Sequence, residues 1–325
     1  MKGSFIVIGD IMIDETWLCE CDRLSPEAPI PVASLIEKEE RLGGAGNAAA
    51  NLRALDGNDK TPIILYGHLP RQYKEFTDKL DIQLPILPNT NNASANIKLR
   101  ITDTRTGYQI VRVDNEQLLD KATLSPNENT ETAIVQSITD ASKKGPVTVI
   151  ISDYGKGYIT PRLMRRVMSC YDEMTYIIVD TRREDISMFQ GVDWITPNEH
   201  EYARMCKELG LLPNFHPENL HTFLEVAEIH GIILTRGHRG MICQADNWRA
   251  VLPATNAKAI DVTGAGDTVT ATLAYMLMKY EKMHYNTMVR AANVAAGMVC
   301  EIQGTATSPC SAEELLYKVT QEDKF

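Results

Sequence analysis

Five short, β-branched runs constrain this chain more than anything else in it: FIVIG at 5–9, PIILY at 62–66, VTVIIS at 147–152, YIIVD at 176–180 and GIILT at 231–235. A strand that is apolar at nearly every position has no face to offer water. Each must be buried on both sides, which is the pattern of a mostly parallel sheet covered by helices. The sequence between the runs supplies those helices. Ala45, Ala48, Ala49, Leu52 and Leu55 recur at helical spacing ahead of Gly57, and helical patterns also fit 160–173, 199–209, 217–230, 266–280 and 285–301. The expected class is α/β.

Two stretches depart from this alternation and read as antiparallel. Residues 96–113 place Ile97, Leu99 and Ile101 on one face and Lys98 and Arg100 on the other, turn at TRTG and return as YQIVRV. Residues 15–40 hold several prolines, no strong helix, and the strand-like runs TWLCE and IPVASLIE. With no linker or internal repeat in view, the expectation is a single domain over 1–325 with a small β-sheet lid formed by about 15–40 and 96–114.

Charge and composition exclude several classes. With 33 Lys and Arg against 43 Asp and Glu the net charge is −10, which repels nucleic acid backbones. No apolar run approaches the roughly 20 residues of a membrane span. Asp10 and Asp14 interrupt the apolar N-terminus, so it lacks the pattern of a signal peptide. Seven scattered cysteines without a CxxC pair fit reduced thiols, and Cys19-x-Cys21 has no second pair to complete a metal site. A cytoplasmic location follows as the expectation, with no nucleic acid and no membrane as partner.

The chemistry concentrates near the C-terminus, in Asp261-Val-Thr-Gly-Ala-Gly-Asp267 followed by the helical pattern TVTATLAYMLMK. Glycines flanking a small residue let the backbone turn sharply into a helix, so that the amides of Gly264, Ala265 and Gly266 converge at its positive end. Asp267, at the start of the same helix, is placed to take a proton from a hydroxyl attacking a phosphate held by those amides. Alone, such a string is more often a turn with a helix-capping Asp.

Three further elements stand in order along the chain: Asp14 in GDIMID after the first strand, Gly43-Gly44-Ala45-Gly46-Asn47, and Asn198-Glu199-His200-Glu201. Together with the DVTGAGD motif they resemble the signatures of the ribokinase-like (PfkB) carbohydrate kinases over nearly the whole chain. The resemblance implies a ribokinase-like fold, ATP and Mg²⁺ as cofactors, a possible role for a monovalent cation, and a homodimer. Within the family, Arg23-Leu-Ser-Pro-Glu-Ala-Pro-Ile-Pro-Val32 looks like a segment of the heptose-7-phosphate kinases, as do Ser152-Asp-Tyr-Gly-Lys-Gly157, Thr196-Pro-Asn-Glu199, Thr235-Arg-Gly-His-Arg-Gly-Met241 and Gly304-Thr-Ala-Thr-Ser-Pro309. In bifunctional members a nucleotidyltransferase domain follows, whereas here only residues 310–325 remain after Pro309, which reads as a kinase alone.

The reaction implied is transfer of the ATP γ-phosphoryl group to the anomeric O1 of D-glycero-D-manno-heptose 7-phosphate, with Asp267 as base. By resemblance Asp14 and Asn47 bond sugar hydroxyls, and Gly43 and Gly44 let the backbone approach the ring. Lys98 and Arg100 suit a sugar phosphate, unless they form a solvated hairpin face, and Asp153 and Lys156 of the DYGKG segment are further substrate candidates. Asn198 and Glu201 belong to the nucleotide side, with Glu201 holding Mg²⁺ through water, although both residues also favour a helix start. Thr235, Gly237, Gly240, Thr263 and Asn293 complete the nucleotide set.

Two departures and two rivals remain. Asp180-Thr-Arg182 stands where similar kinases often carry Asp-Pro-Lys, and Gly67-His-Leu-Pro-Arg71 lacks the usual Gly-Asp-Asp loop. Another sugar, sugar phosphate or nucleoside as acceptor therefore stays open. A different class, an NAD(P)-binding oxidoreductase, is suggested by Gly44-Ala-Gly46-Asn-Ala-Ala49, but this follows the charged stretch EKEER and lacks an acid about 20 residues on.

Overall fold

Alternate residues of the same strand enter two different cores. In a computed structural model, which describes residues 3–86, 95–115, 124–255, 259–280, 283–304 and 306–322, strand β1 (Ser4–Gly9) sends Phe5 and Val7 to one side and Ile6 and Ile8 to the other. Strands β7 (Val147–Asp153) and β8 (Thr175–Thr181) divide likewise, Ile150 and Ile178 on the first side, Val149, Ile151, Ile177 and Val179 on the second. This is the double burial that their composition requires.

With β4 (Ile63–Tyr66), β9 (Trp194–Ile195), β10 (Gly231–Thr235), β11 (Met241–Ala245) and β12 (Trp248–Leu252) they form an eight-stranded sheet in the order β12-β11-β10-β9-β8-β7-β1-β4. Pairing is parallel except at the β10–β11–β12 edge. The first core lies under helices α1 (Ala45–Asp56), α7 (Ala265–Lys279), α8 (Tyr285–Val299) and α9 (Ala312–Glu322). The second lies under α3 (Glu128–Ser142), α4 (Pro161–Met168), α5 (Glu199–Glu208) and α6 (Pro217–Ala227). A short helix, α2 (Lys74–Lys79), follows β4.

The five expected strands are present within a residue or two. Helix α4 stops at Met168 and not at 173, where the Ser169 hydroxyl folds back to the Arg166 carbonyl at 2.7 Å. Helix α3 was not expected, although Ile134, Ile138 and Ala141 mark its buried stripe.

A second sheet, of order β3-β2-β5-β6, projects from the first. Its strands are β2 (Ile11–Leu24), β3 (Pro31–Gly44), β5 (Asn96–Asp103) and β6 (Gln109–Asn115). The β2–β3 and β5–β6 hairpins are antiparallel, but β2 and β5 run parallel, a pairing between distant segments that neither segment reveals alone. Strands β2 and β3 also begin and end deeper than the expected 15–40, because Ile11, Met12, Ile13 and Leu42 are buried in the main body. Thr305 of the GTATSP segment lies outside the described residues.

Candidate active site

The C-terminal ends of parallel strands are where an open α/β sheet leaves a crevice. Tyr154 after β7, Asp180 on β8, Thr196 after β9 and Thr235 on β10 all line one cleft of about 790 Å³ there, and the small sheet forms its other wall. Helix α7 aims its N-terminus into the same space. Gly264 caps it with φ 84°, in the left-handed region that glycine tolerates. The Asp261 carboxylate gathers the preceding turn, accepting from the Thr263 amide at 2.9 Å, the Thr263 hydroxyl at 2.7 Å and the Gly304 amide at 3.0 Å. Gly264, Ala265, Gly266 and Asp267 line the cleft as expected. The Ala265 amide, however, already donates to the Val262 carbonyl at 3.3 Å.

Asp267 is 5% exposed, and both its oxygens are held. The Asn47 side-chain amide donates to Oδ2 at 2.8 Å and the Tyr154 hydroxyl to Oδ1 at 2.8 Å. Burial pushes the carboxyl up to about 6; the two hydrogen bonds and the Lys98 ammonium pull it down, while the Asp14 charge adds to the rise. Such a group is ionised at neutral pH yet more basic than an ordinary Asp.

Asn47 was expected on the sugar, and its polar atoms are spent elsewhere. Its Oδ1 accepts from Asn51 Nδ2 at 3.2 Å, which leaves Nδ2 to face Asp267. Asn51 Oδ1 in turn accepts from the Thr268 hydroxyl at 3.0 Å and the Ser308 amide at 2.8 Å. Helix α1 is lined by Ala45, Ala48 and Ala49, small enough to pack closely in the core it shares with α7.

The small sheet brings cations. The parallel register sets Asp14 beside Lys98 and Thr16 beside Arg100, and Arg100 Nη1 donates to Asp14 Oδ1 at 2.8 Å. Lys98 and Arg100 are 7% and 9% exposed, more buried than Ile97, Leu99 and Ile101, so theirs is the inward face of β5 and not a solvated one. Burial, with the Arg182 charge, pulls the Lys98 ammonium down to about 8. Arg112 on β6, opposite Arg100, and Arg182 also line the cleft.

Besides Asn47, three expected substrate residues are not cleft-lining. A Cβ on Gly43 would stand 2.2 Å from Asp14 Oδ2, so this glycine makes room for Asp14 and not for a sugar ring; Gly44, with φ 57°, does reach the cleft. Asp153 is fully buried and neutralised by Arg183, with the Thr181 hydroxyl at 3.1 Å. Lys156 lies past the turn at Gly155, φ 71°, and its amide donates to Asp10 Oδ2 at 3.0 Å. Tyr154 lines the cleft from that loop instead.

Asn198, Glu201, Thr235, Gly237, Gly240, Thr263 and Asn293, all expected on the nucleotide side, line the same cleft. Asn198 Oδ1 accepts from the His200 and Glu201 amides, and Glu201 Oε2 accepts from the Asn198 amide, a capping box that starts α5. Both oxygens are thereby committed to the helix, leaving Glu201 Oε1 and Asn198 Nδ2 for a ligand. Asn293 Nδ2 donates to the Pro253 carbonyl at 2.8 Å and so braces the rim of the cleft. Gly240 is required by the close approach of β12, since a Cβ there would lie 2.0 Å from the Leu252 carbonyl.

Sequence reasoning missed Tyr154, Arg112, Asp180 and Arg182. Asp180 faces the cleft, and burial, with the charges of Asp267 and Glu201, pushes its carboxyl well up. The Arg182 guanidinium lies 4.3 Å from the Tyr154 ring centroid and the Lys98 ammonium 4.8 Å from it. The departure at Asp180-Thr-Arg182 was the available signal for two of these. Among the described residues no three His, Cys, Asp or Glu side chains form a metal cage, and no helix is long and apolar enough to cross a membrane.

Known proteins share this architecture. Phosphofructokinase-2 from Escherichia coli in complex with substrates and products superposes with a TM-score of 0.74 at 14% identity, over 98% of this chain and 99% of that one. Arabidopsis thaliana ribokinase complexed with ribose and ATP gives 0.69 at 15%, over 98% and 99%. These show a ribokinase-like fold. In sequence, the bifunctional protein HldE of Aliarcobacter butzleri is 31% identical over 94% of this chain and 63% of its own length. That of Methylobacillus flagellatus is 32% identical over 95% and 62%. The chain thus spans less than two thirds of the length of these curated relatives. The family model for pfkB family carbohydrate kinases matches residues 4–312, and the chain belongs to that family, whose members are phosphotransferases acting on an alcohol group.

Proposed function

We propose that this carbohydrate kinase transfers the γ-phosphoryl group of ATP to the anomeric hydroxyl of a sugar phosphate, D-glycero-D-manno-heptose 7-phosphate, giving the 1,7-bisphosphate. The observation that carries the reading is the burial of two cations, Lys98 and Arg100, on the cleft face of the small sheet, with Arg112 and Arg182 beside them. Two buried cations with two exposed ones at their side suit an acceptor that is itself a phosphate. The choice of heptose is supported by the RxSPEAPxPV segment at Arg23–Val32, in the β2–β3 hairpin, and by the similarity to the HldE proteins.

Asp267 takes the proton of the acceptor hydroxyl as that oxygen forms its bond to the γ-phosphorus. The bond from that phosphorus to the β–γ bridging oxygen breaks, and ADP leaves with the electron pair. Charge developing on the transferred group meets the N-terminus of α7. The free oxygen of Glu201 is a hard donor that suits Mg²⁺ held largely through water, where the ion would neutralise nucleotide phosphate charge. The small sheet acts as the lid of a single-domain enzyme. A homodimer through that sheet is part of the same reading, supported by Leu35, Ile36, Val111 and Val113, which stand exposed on it.

The test is ATP consumption by purified protein with heptose 7-phosphate, fructose 6-phosphate and ribose in parallel, the product identified by phosphorus NMR. Turnover with heptose 7-phosphate far above the others, and a new anomeric phosphate, is the expected result. Preference for either other sugar overturns the acceptor assignment, and light scattering that shows a monomer overturns the dimer.

A further inference from the structure

Tyr154 joins the two halves of this chemistry. Its hydroxyl donates to Asp267 Oδ1 at 2.8 Å, while its ring carries the Arg182 guanidinium at 4.3 Å and the Lys98 ammonium at 4.8 Å. We propose that Tyr154 is a positioning residue: its hydroxyl aims the base, and its ring holds the two cations that bind the acceptor's phosphate. The inference rests on the sugar-phosphate kinase reading above.

The ring is firmly seated. The Asp10 carboxylate accepts from the amides of Tyr154 at 2.9 Å, Lys156 at 3.0 Å and Tyr158 at 3.1 Å, which fixes the loop that carries it. On another side a Cβ built on Gly44 would lie 3.3 Å from Tyr154 Cε2, so the ring lies close against the glycine backbone. Guanidinium and ammonium groups are attracted to the negative face of an aromatic ring, which offsets their mutual repulsion without using a hydrogen-bond donor. Among the described residues the Arg182 side chain has no hydrogen-bond partner, so its donors are available to a phosphate.

The hydroxyl acts on the base differently. A carboxylate oxygen has two lone pairs, so the bond from Tyr154 leaves one on Oδ1 for the acceptor hydroxyl while restricting rotation of the carboxyl plane. It also stabilises the ionised form. The charged and polar groups facing Asp267 are Asn47 on α1, Tyr154 after β7, Asp14 and Lys98 on the small sheet and Asp180 on β8. Loss of the phenol alone removes a favourable partner and leaves the others in place.

Two substitutions separate the roles. Tyr154→Phe keeps the ring and loses the hydroxyl: kcat is expected to fall about tenfold or more, with the acid limb of its pH profile moved upward and the acceptor KM within about twofold of wild type. Tyr154→Leu loses both, and the acceptor KM is expected to rise a further roughly tenfold with the ATP KM unchanged. A third measurement requires no turnover: the Asp267 carboxyl, assigned by its absence in Asp267→Asn, titrates at higher pH in Tyr154→Phe when followed by carbon NMR. Wild-type kcat and an unmoved titration in the Phe variant overturn the inference, as does a wild-type acceptor KM in a folded Leu variant. If the wild-type enzyme phosphorylates no sugar phosphate, the functional reading fails while the NMR titration still decides whether Tyr154 governs Asp267. If the Leu variant does not fold, the Phe variant decides through kcat and titration.

Discussion

Asn47 and Asp267, 220 positions apart in sequence, share a buried hydrogen bond of 2.8 Å, so the orientation of the proposed base at the head of α7 depends on a side chain of the first helix. Asn47→Leu removes the donor while keeping similar bulk. We expect kcat at neutral pH to fall roughly tenfold, because a hydrogen bond to a charged partner contributes about 1.5–3 kcal/mol. The acid limb of the kcat profile should move to higher pH, since the lost bond favoured the ionised form; an unchanged profile would show that the bond does not reach the chemistry.

Asp267→Asn removes the proton acceptor and preserves the shape of the side chain. General bases contribute typically about 10²–10⁴ in rate, and a loss of that size in kcat is expected with ATP affinity nearly unchanged. Calorimetric titration with ATP alongside steady-state kinetics checks both. Near-normal kcat would assign the proton to another group.

Lys98 sets the opposite pH limb. Burial, with Arg182, lowers its ammonium to about 8, so it is charged below that pH and neutral above it. Acceptor KM should therefore rise as pH passes through about 8. In Lys98→Arg the guanidinium keeps its charge, so that rise should vanish even if the altered geometry raises KM at every pH. A KM–pH series for both proteins decides this.

Gly44→Ala tests the junction of small sheet and core. At φ 57° an added Cβ would stand 2.5 Å from the Asp10 carbonyl and 2.5 Å from Met12 Cε. A left-handed non-glycine residue costs about 1–2 kcal/mol before any clash, so destabilisation of about 2 kcal/mol or more is expected in denaturant unfolding. Wild-type stability would mean that the backbone relaxes freely at this point.

What the chain discloses in advance depends on the range of the interactions involved. The five buried strands and the turn at Gly264 are local: β-branched runs and a glycine before a helix need no partner to be recognised. Strands β11 and β12 escaped notice because each is only five residues long and β12, at the sheet edge, alternates half-buried and exposed positions. The site followed the same rule. The place of Asp267 at the cleft was legible from its own motif, whereas the contacts of Asn47 and Asp153 turned on partners far along the chain, Asp267 for one and Arg183 for the other. Tyr154 stood inside a segment already singled out, but nothing local shows that the turn at Gly155 presents the ring and not Lys156 to the cleft.

Asp10 lies between the last residue of β1 and the first of β2, where the two sheets part company. Its amide donates to the Ser152 carbonyl at 3.0 Å, its carbonyl accepts from the Ala45 amide at 3.1 Å, and its carboxylate grips the Tyr154 loop. The strand that leaves for the outboard sheet and the loop that carries the phenol are therefore anchored on one residue. If that sheet is the lid proposed above, a swing that admits or releases a sugar would pull on this anchor, and arrival of cargo would be coupled to the aiming of the proton acceptor.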